Sequence, residues 1–204
     1  YKFNSTERFH LEAEVTKQAY KVKETSLGDP NFVDFNLDKI LSDKNIEGIF
    51  NKINLNSCSD VGDLNIPAHP ETIYLTVVDK DLNSVSIINS VCYVFGSGIT
   101  TNKSGILLHN RGTNFRVEHG HPNCIEGLKR PLHTIIPGMV IDKDNKTTLS
   151  YGVMGGQYQP VGQVHVLNNM IDFEMGPQEA LSFPRAFHFN NIYKLEKTVD
   201  KEIF

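Results

Sequence analysis

Two pairs of β-branched, apolar runs constrain the fold most, because each pair is joined by a short polar connection. The pairs are residues 72–79 with 84–91 and 133–141 with 147–154, and the connections are Lys-Asp-Leu-Asn at 80–83 and Asp-Lys-Asp-Asn at 142–145. Runs of this composition around a polar turn predict β-hairpins. A further strand is predicted at 105–108. The strand at 72–79 is expected to be central, since Val77 and Val78 interrupt its alternation as in strands covered on both faces.

Helical patterns precede and follow these strands. Helices are predicted over residues 4–27, 37–53, 163–173 and 177–183. Asn4 and Glu7 have the spacing of a capping box, and Pro177 suits the first position of a helix. The order of two helices, several antiparallel strands and two helices predicts an α+β fold in which helices cover antiparallel hairpins.

Composition narrows the classes of partner. The 204 residues are 39% hydrophobic, enough for one core or one core with a docked extension. A net charge of −4 without a long Lys/Arg block argues against nucleic acid and anionic membranes, and no apolar run approaches the ~20 residues of a membrane span. Cys58, Cys92 and Cys124 lack the spacing of a zinc site or disulfide framework, so buried free thiols are expected. Small molecules or proteins remain as partners, and neither metal nor cofactor is indicated.

Thr72 follows residues 54–70, which are rich in Asn, Ser, Asp, Gly and Pro and predict an exposed linker. If the chain is cut before Thr72, a hydroxyl nucleophile and a free α-amine occupy one residue. An α-amino pKa of about 7.7–8.0 makes that amine a proton acceptor near neutrality. Uncut, Thr72 is an ordinary strand threonine, which local pattern alone favours.

Gly155 and Gly156 fall between a predicted strand and a predicted helix. Their N–H groups could converge on an oxyanion at the positive end of the helix, or the pair could form a plain turn, which a lone Gly-Gly favours. His133 and Thr134 follow a basic, Pro-bent segment. They could border a ligand, but local pattern favours a solvated loop that leads into the start of a strand.

Seven runs in order carry a resemblance to a known family. They are residues 27–33 (Leu-Gly-Asp-Pro-Asn-Phe-Val), 72–79, 95–98 (Phe-Gly-Ser-Gly), 105–110 (Gly-Ile-Leu-Leu-His-Asn), 129–134 (Lys-Arg-Pro-Leu-His-Thr), 155–156, and 177–180 (Pro-Gln-Glu-Ala) with 184–185. From about residue 10 to 195 the chain resembles the γ-glutamyltranspeptidase family of N-terminal nucleophile hydrolases.

The resemblance implies an αββα sandwich of two antiparallel sheets between helical layers, assembled from two subunits that self-cleavage produces. Residues 1–71 would end the large subunit, and 72–204 would begin the small one. Thr72 would first attack the Glu71 carbonyl and later the γ-carbonyl of a γ-glutamyl donor such as glutathione, with its own amine as base. The acyl group would pass to water or an amino-acid acceptor.

The resemblance also assigns site residues. Gly155 and Gly156 would hold the oxyanion, and Ser90 matches a threonine that supports the nucleophile. Thr134 matches a hydroxyl residue that contacts the donor's α-carboxylate.

Four positions depart from the family's donor site. Asn114 stands at the amine-binding aspartate, Arg111 where an amide is frequent, Cys92 where an asparagine is frequent and His133 where a serine is frequent. Because an amide cannot pair with the donor's ammonium as a carboxylate does, a glutaryl-type amide acylase with the same nucleophile is an alternative. Another is an uncleaved, non-catalytic homologue that acts as a binding module.

By the same resemblance, about half of a proenzyme is expected before Tyr1, including the arginine that clamps the α-carboxylate, and a terminal strand is expected after Phe204. The large-subunit segment of the same precursor is therefore an expected partner, and a homo-oligomer is left open. The few cysteines fit both a cytoplasmic and a periplasmic protein.

Overall fold

A computed structural model describes residues 2–62, 71–189 and 191–203. Within these ranges, the helices are α1 (Thr6–Ser26), α2 (Leu37–Ile40), α3 (Asp43–Phe50), α4 (Tyr158–Ile171) and α5 (Pro177–Ser182). The strands are β1 (Glu71–Val78), β2 (Ser84–Cys92), β3 (Gly138–Ile141), β4 (Thr147–Tyr151), β5 (Ala186–Phe189) and β6 (Ile192–Leu195). They pair as three antiparallel hairpins, β1–β2, β3–β4 and β5–β6. None of these helices is long and apolar enough to span a bilayer.

The chain forms two compact units, each built from separate stretches of sequence. Of the described residues, the first unit contains 2–62, 115–132, 175–189 and 191–203, and the second contains 71–114 and 133–174.

In the first unit, α1 packs on the β5–β6 hairpin. Ser5, rather than the predicted Asn4, caps this helix, since its side chain accepts from the Arg8 N–H. The Phe9 and Phe183 rings stack at 6.4 Å, and the Tyr193 hydroxyl donates to the Phe9 carbonyl at 2.8 Å. Burial of these apolar side chains is the main force that holds the unit together.

Two of the runs that resemble the family meet in the first unit. The Asp29 carboxylate accepts from the Arg130 backbone N–H at 2.8 Å and from its guanidinium at 3.0 and 2.8 Å. These hydrogen bonds hold the pKa of the Asp29 carboxyl well below its usual range. A Cβ at Gly28 would overlap the carbonyl oxygen of Pro122, so only glycine fits there. These runs therefore fasten the segment after α1 to the loop of residues 115–132.

In the second unit, hydroxyl groups connect two hairpins. The Tyr74 hydroxyl on β1 lies 3.1 Å from Ser86 Oγ and 2.8 Å from Ser150 Oγ on β4, and Ser86 donates to the Gly138 carbonyl at 2.9 Å. One face of the β1–β2 hairpin thus carries polar side chains that bind β3 and β4.

The pairing of β1 and the opposite face of this hairpin differ from the prediction. β1 was expected to be central and covered on both faces, but within the described residues it pairs with β2 alone. The exposed apolar side chains on this opposite face are Ile73, Leu75, Val77, Val85 and Ile87, and Val78 is exposed at the end of the polar face. The two valines that interrupt the alternation therefore mark apolar surface that the described part of the chain leaves open.

Several boundaries also differ from the predicted ones. Residues 37–53 form two helices because Ser42 leaves the helical conformation and caps α3. Residues 105–108 form no strand; Leu107 makes a single bridge to Thr100. β3 begins at Gly138, five residues later than predicted, and β5–β6 was missed.

Of the three free cysteines only Cys92 is buried, whereas Cys58 is exposed and Cys124 half-buried. Residues 54–62 of the predicted linker form no helix or strand, and 63–70 lie outside the described residues.

Candidate active site

Thr72 lies at an irregular point of β1. Glu71 pairs with Cys92 and Ile73 with Asn89, so β2 has one more residue than β1 between these two pairs. The extra residue on β2 interrupts the regular ladder opposite Thr72. Thr72 is only 8% exposed although Glu71 and Ile73 are exposed, and the side-chain N–H of Gln159 reaches its Oγ1 at 3.4 Å. The hydroxyl of the predicted nucleophile is therefore buried against the first turn of α4.

Ser90 binds the carbonyl group immediately before Thr72. Its Oγ donates to the Glu71 oxygen at 2.6 Å and accepts from the Cys92 backbone N–H at 3.0 Å. Because that N–H can only donate, the Ser90 proton is directed to the Glu71 carbonyl. A hydroxyl donor in this position polarises a carbonyl and stabilises the negative charge that develops when it is attacked.

Two of the predicted donor-binding residues are connected to Ser90, Arg111 directly and Asn114 through Cys92. The Arg111 guanidinium donates to the Ser90 carbonyl at 3.4 Å, and the Cys92 thiol donates to the Asn114 amide oxygen at 3.9 Å. Arg111 is buried, and within the described residues it forms no ion pair with a carboxylate. A buried cation is stable only when an anion or several acceptors surround it, so Arg111 marks a place suited to a carboxylate.

His133 is a neutral neighbour of this cation. Burial, together with the positive charge of Arg111, lowers the pKa of the His133 imidazole below its ordinary value. The imidazole is therefore uncharged at neutral pH, and Arg111 supplies the positive charge at this end of the site.

Gly155 and Gly156 form the bend between β4 and α4. Their φ angles are 120° and 56°, in the region that glycine adopts without strain. The Gly155 carbonyl accepts from Tyr158, and the Gly156 carbonyl accepts from Gln159 and from the Thr134 hydroxyl at 2.7 Å. The two glycine N–H groups donate to none of the described residues, and they lie at the positive end of α4. This arrangement suits an oxyanion.

Gln159 is the residue that sequence reasoning missed. It is 1% exposed, contacts Thr72 through Nε2, and its Oε1 is buried without a partner in the described part of the chain. Helix α4 begins at Tyr158 rather than at residue 163, because Gly155 and Gly156 close its first turn and Pro160 is tolerated there. The late predicted start placed Gln159 in a loop, and its position just after the glycine pair was the available signal.

All the predicted site residues belong to the second unit. One chain of contacts runs from Glu71 through Ser90 to Arg111, and from Ser90 through Cys92 to Asn114. Another runs from Thr72 through Gln159 and Gly156 to Thr134; the Glu71–Thr72 peptide bond joins the two. The preceding His69 and Pro70 lie outside the described residues.

A comparison with sequence models of protein families matches residues 1–204 to the family described as Gamma-glutamyltranspeptidase. The chain belongs to this family. Among γ-glutamyltranspeptidase relatives, it is 36% identical over 186 residues to a glutathione hydrolase-like YwrD proenzyme of Bacillus subtilis. It is 32% identical over 204 residues to the glutathione hydrolase proenzyme of Escherichia coli. The alignments cover 89% and 92% of the chain but 34% and 35% of the relatives, so the chain spans about a third of their length.

A solved structure with the same fold is the cephalosporin acylase of Bacillus halodurans. It is 32% identical, the match covers 100% of this chain and 37% of the acylase, and the TM-score is 0.85. The α+β fold with antiparallel sheets, as in N-terminal nucleophile hydrolases of the γ-glutamyltranspeptidase type, is thereby confirmed, and the chain covers part of that fold.

Proposed function

We propose that this chain carries the nucleophile of a γ-glutamyl amide hydrolase or transferase, Thr72, which autocleavage of the Glu71–Thr72 bond releases. The observation that carries the proposal is the 2.6 Å hydrogen bond from Ser90 to the Glu71 carbonyl, directly beside the buried Thr72 hydroxyl. An activating donor on the carbonyl that precedes a hydroxyl residue is what an N-to-O acyl shift requires.

In the cleavage step, Thr72 Oγ bonds to the Glu71 carbonyl carbon while Ser90 holds the oxygen on which negative charge develops. The C–N bond then breaks, the proton of the hydroxyl passes to the Thr72 nitrogen, and an ester joins the two residues. Water opens this ester. The products are a carboxylic acid at Glu71 and a free α-amine at Thr72.

In the turnover step, the Thr72 hydroxyl attacks the γ-carbonyl of the donor and its proton moves to the free amine, which acts as general base. The N–H groups of Gly155 and Gly156 hold the oxyanion. The amine returns the proton to the leaving amide nitrogen. Water or an amino-acid acceptor then takes the acyl group from Thr72. A missing oxyanion donor typically costs a factor of 10² to 10³ in turnover.

The large-subunit part of the same precursor is the proposed partner. The apolar face of β1–β2, which includes Ile73, Leu75, Val77 and Ile87, is exposed in the described residues. Adjacent apolar side chains on one sheet face favour burial against another protein surface. Relatives about three times as long as this chain are named proenzymes, which fits a partner segment supplied by the same precursor.

The mass of the purified full-length protein tests the proposal. We expect two chains, the smaller of which begins at Thr72, as intact-mass measurement and N-terminal sequencing would reveal. Cleavage elsewhere, or a stable uncut chain that forms no acyl-enzyme, would rule the proposed mechanism out.

The glutaryl-type amide acylase is the second candidate, and Arg111 and Asn114 favour it. Arg111 offers a buried positive charge suited to a carboxylate, whereas Asn114 offers an amide where recognition of an ammonium needs a negative charge. A glutaryl group has the carboxylate of a γ-glutamyl group but lacks its α-amine. The two candidates therefore differ only in the acyl group that Thr72 accepts.

Replacement of Asn114 by Asp is expected to raise the preference for γ-glutamyl over glutaryl p-nitroanilide by about 10-fold or more, because hydrogen bonds to charged groups contribute about 1.5–3 kcal/mol. The preference is measured as the ratio of the kcat/KM values for the two substrates. Thr113→Asp is the matched control, since it adds the same charge at an exposed position of the same turn. An equal shift in both variants, or none in Asn114→Asp, would contradict a contact between residue 114 and the donor's amine. A parent that strongly prefers γ-glutamyl p-nitroanilide would remove the second candidate.

A further inference from the structure

Gln159 combines two features that packing alone does not explain. Its side chain is 1% exposed and touches Thr72 Oγ1, yet its Oε1 is buried without a hydrogen-bond partner among the described residues. An unsatisfied buried acceptor typically destabilises a fold by about 1–3 kcal/mol. Because the fold tolerates this destabilisation, Gln159 Oε1 is available to accept a hydrogen bond from a donor that is absent from the uncut chain.

Cleavage before Thr72 creates such a donor. In the uncut chain the Thr72 nitrogen is an amide with one N–H, whereas after cleavage it is an amine that carries two or three. The amine and the hydroxyl of Thr72 stand on adjacent carbons, and the nitrogen and oxygen of the Gln159 amide share one carbon. One side-chain amide can therefore bind both groups of an N-terminal threonine.

We propose that Gln159 is a positioning residue for the N-terminal Thr72: Nε2 donates to Oγ1, and Oε1 accepts an N–H from the new α-amine. Donation from Nε2 occupies a lone pair of the hydroxyl oxygen and leaves the hydroxyl proton directed to the amine that must remove it. The backbone N–H of Gln159 donates to the Gly156 carbonyl, so the same residue links the nucleophile to the oxyanion glycines. This inference rests on the proposed function.

The contact to the amine has a measurable consequence. An acceptor beside an amine favours its protonated form and raises its pKa. Loss of Oε1 therefore lowers the pKa of the base, and the acidic limb of the kcat/KM profile moves to lower pH. A carboxylate in the same place stabilises the ammonium more strongly, and the limb moves to higher pH.

The experiment uses cleaved full-length protein, checked by mass, with γ-glutamyl p-nitroanilide as the probe. For Gln159→Met, which keeps the length of the side chain, we expect kcat to fall about 10- to 100-fold, as for a misplaced reacting group, while KM changes little. The acidic limb of its kcat/KM profile should lie at lower pH than that of the parent. For Gln159→Glu the limb should rise by about one pH unit or more. If Gln159→Met does not accumulate as cleaved protein, the pH profile of Gln159→Glu decides alone.

Gln163→Met is the matched control, because Gln163 lies one turn further along α4 and donates to the backbone carbonyl of Ile136. It removes a similar side-chain amide without touching Thr72, so its acidic limb should coincide with that of the parent. Lower activity in the Gln159 variants with an unmoved limb would reduce Gln159 to a packing residue and overturn the inference. A parallel Thr72→Ala variant separates this inference from the proposed function. If Thr72→Ala retains parental activity, the proposed function fails. If Thr72→Ala is inactive while the Gln159 variants match the parent, only the inference about Gln159 fails.

Discussion

Replacement of Thr72 by alanine is expected to abolish both cleavage of the Glu71–Thr72 bond and amide turnover in the full-length protein. The same hydroxyl is the proposed nucleophile in both steps, and removal of a nucleophile lowers turnover by a factor on the order of 10⁶ in a well-studied hydrolase. The Gln159 contact to Oγ1 is lost as well. Since alanine fits the space of the buried threonine, the uncut chain should still fold.

Cleavage is read from the mass of the purified protein, and turnover from release of p-nitroaniline. Thr76→Ala is the matched control, because Thr76 lies on the same strand and its hydroxyl donates to Ser150 at 2.9 Å. Thr76→Ala should be cleaved like the parent, and Thr72→Ser should retain both activities in part. Parental cleavage and turnover in Thr72→Ala would leave the non-catalytic binding module as the surviving hypothesis.

The parts of the fold that the sequence predicted well are those that local pattern determines. β1 and β2 are long, rich in β-branched residues and separated by a polar turn, and both were predicted close to their observed bounds. β5 and β6 have four residues each, too few for an alternating pattern to stand out. The helix predicted over 37–53 ends early because the Ser42 side chain accepts from the Asn45 N–H, a local competition that apolar spacing does not reveal.

The candidate site depends on contacts between residues far apart in sequence. Thr72 and Gln159 are separated by 87 positions, and no periodicity joins them. Local pattern favoured a strand threonine and a plain turn, so Thr72 and the glycine pair were selected only through the ordered resemblance to a family. Gln159 lay outside the runs that carried this resemblance, and its burial is a property of tertiary packing alone.

Local pattern also does not reveal which elements cover a strand. Val77 and Val78 place one apolar residue on each face at the end of β1, and such a pattern predicts that something covers the strand on both faces. It does not say whether the covering element lies nearby in sequence. Within the described residues the face that carries Ile73, Leu75 and Val77 stays exposed, which is why the proposed large-subunit segment, rather than a neighbouring strand, is its expected partner.

Replacement of Ser90 by alanine is expected to slow autocleavage by about 10²- to 10³-fold, the typical effect of one lost oxyanion donor. The Ser90 hydroxyl is bound to the Glu71 oxygen, the atom on which negative charge would develop in the proposed attack by Thr72. Alanine also leaves the Cys92 N–H without its hydroxyl acceptor. The cleavage rate is measured by a pulse–chase experiment, in which newly synthesised full-length protein is labelled and the uncut and cleaved chains are separated by mass at successive times.

Two variants separate this effect from a general loss of packing. Ser90→Thr keeps the hydroxyl and should cleave at close to the parental rate. Ser86→Ala removes a hydroxyl from the same strand that binds the Gly138 carbonyl instead, so it should destabilise the fold slightly without slowing cleavage. Once the bond is broken, the Glu71 carbonyl is no longer the group under attack, and turnover by cleaved Ser90→Ala should fall far less than its rate of cleavage. Equal losses in both steps would place Ser90 in donor turnover as well, whereas parental cleavage in Ser90→Ala would contradict its proposed role on the Glu71 carbonyl.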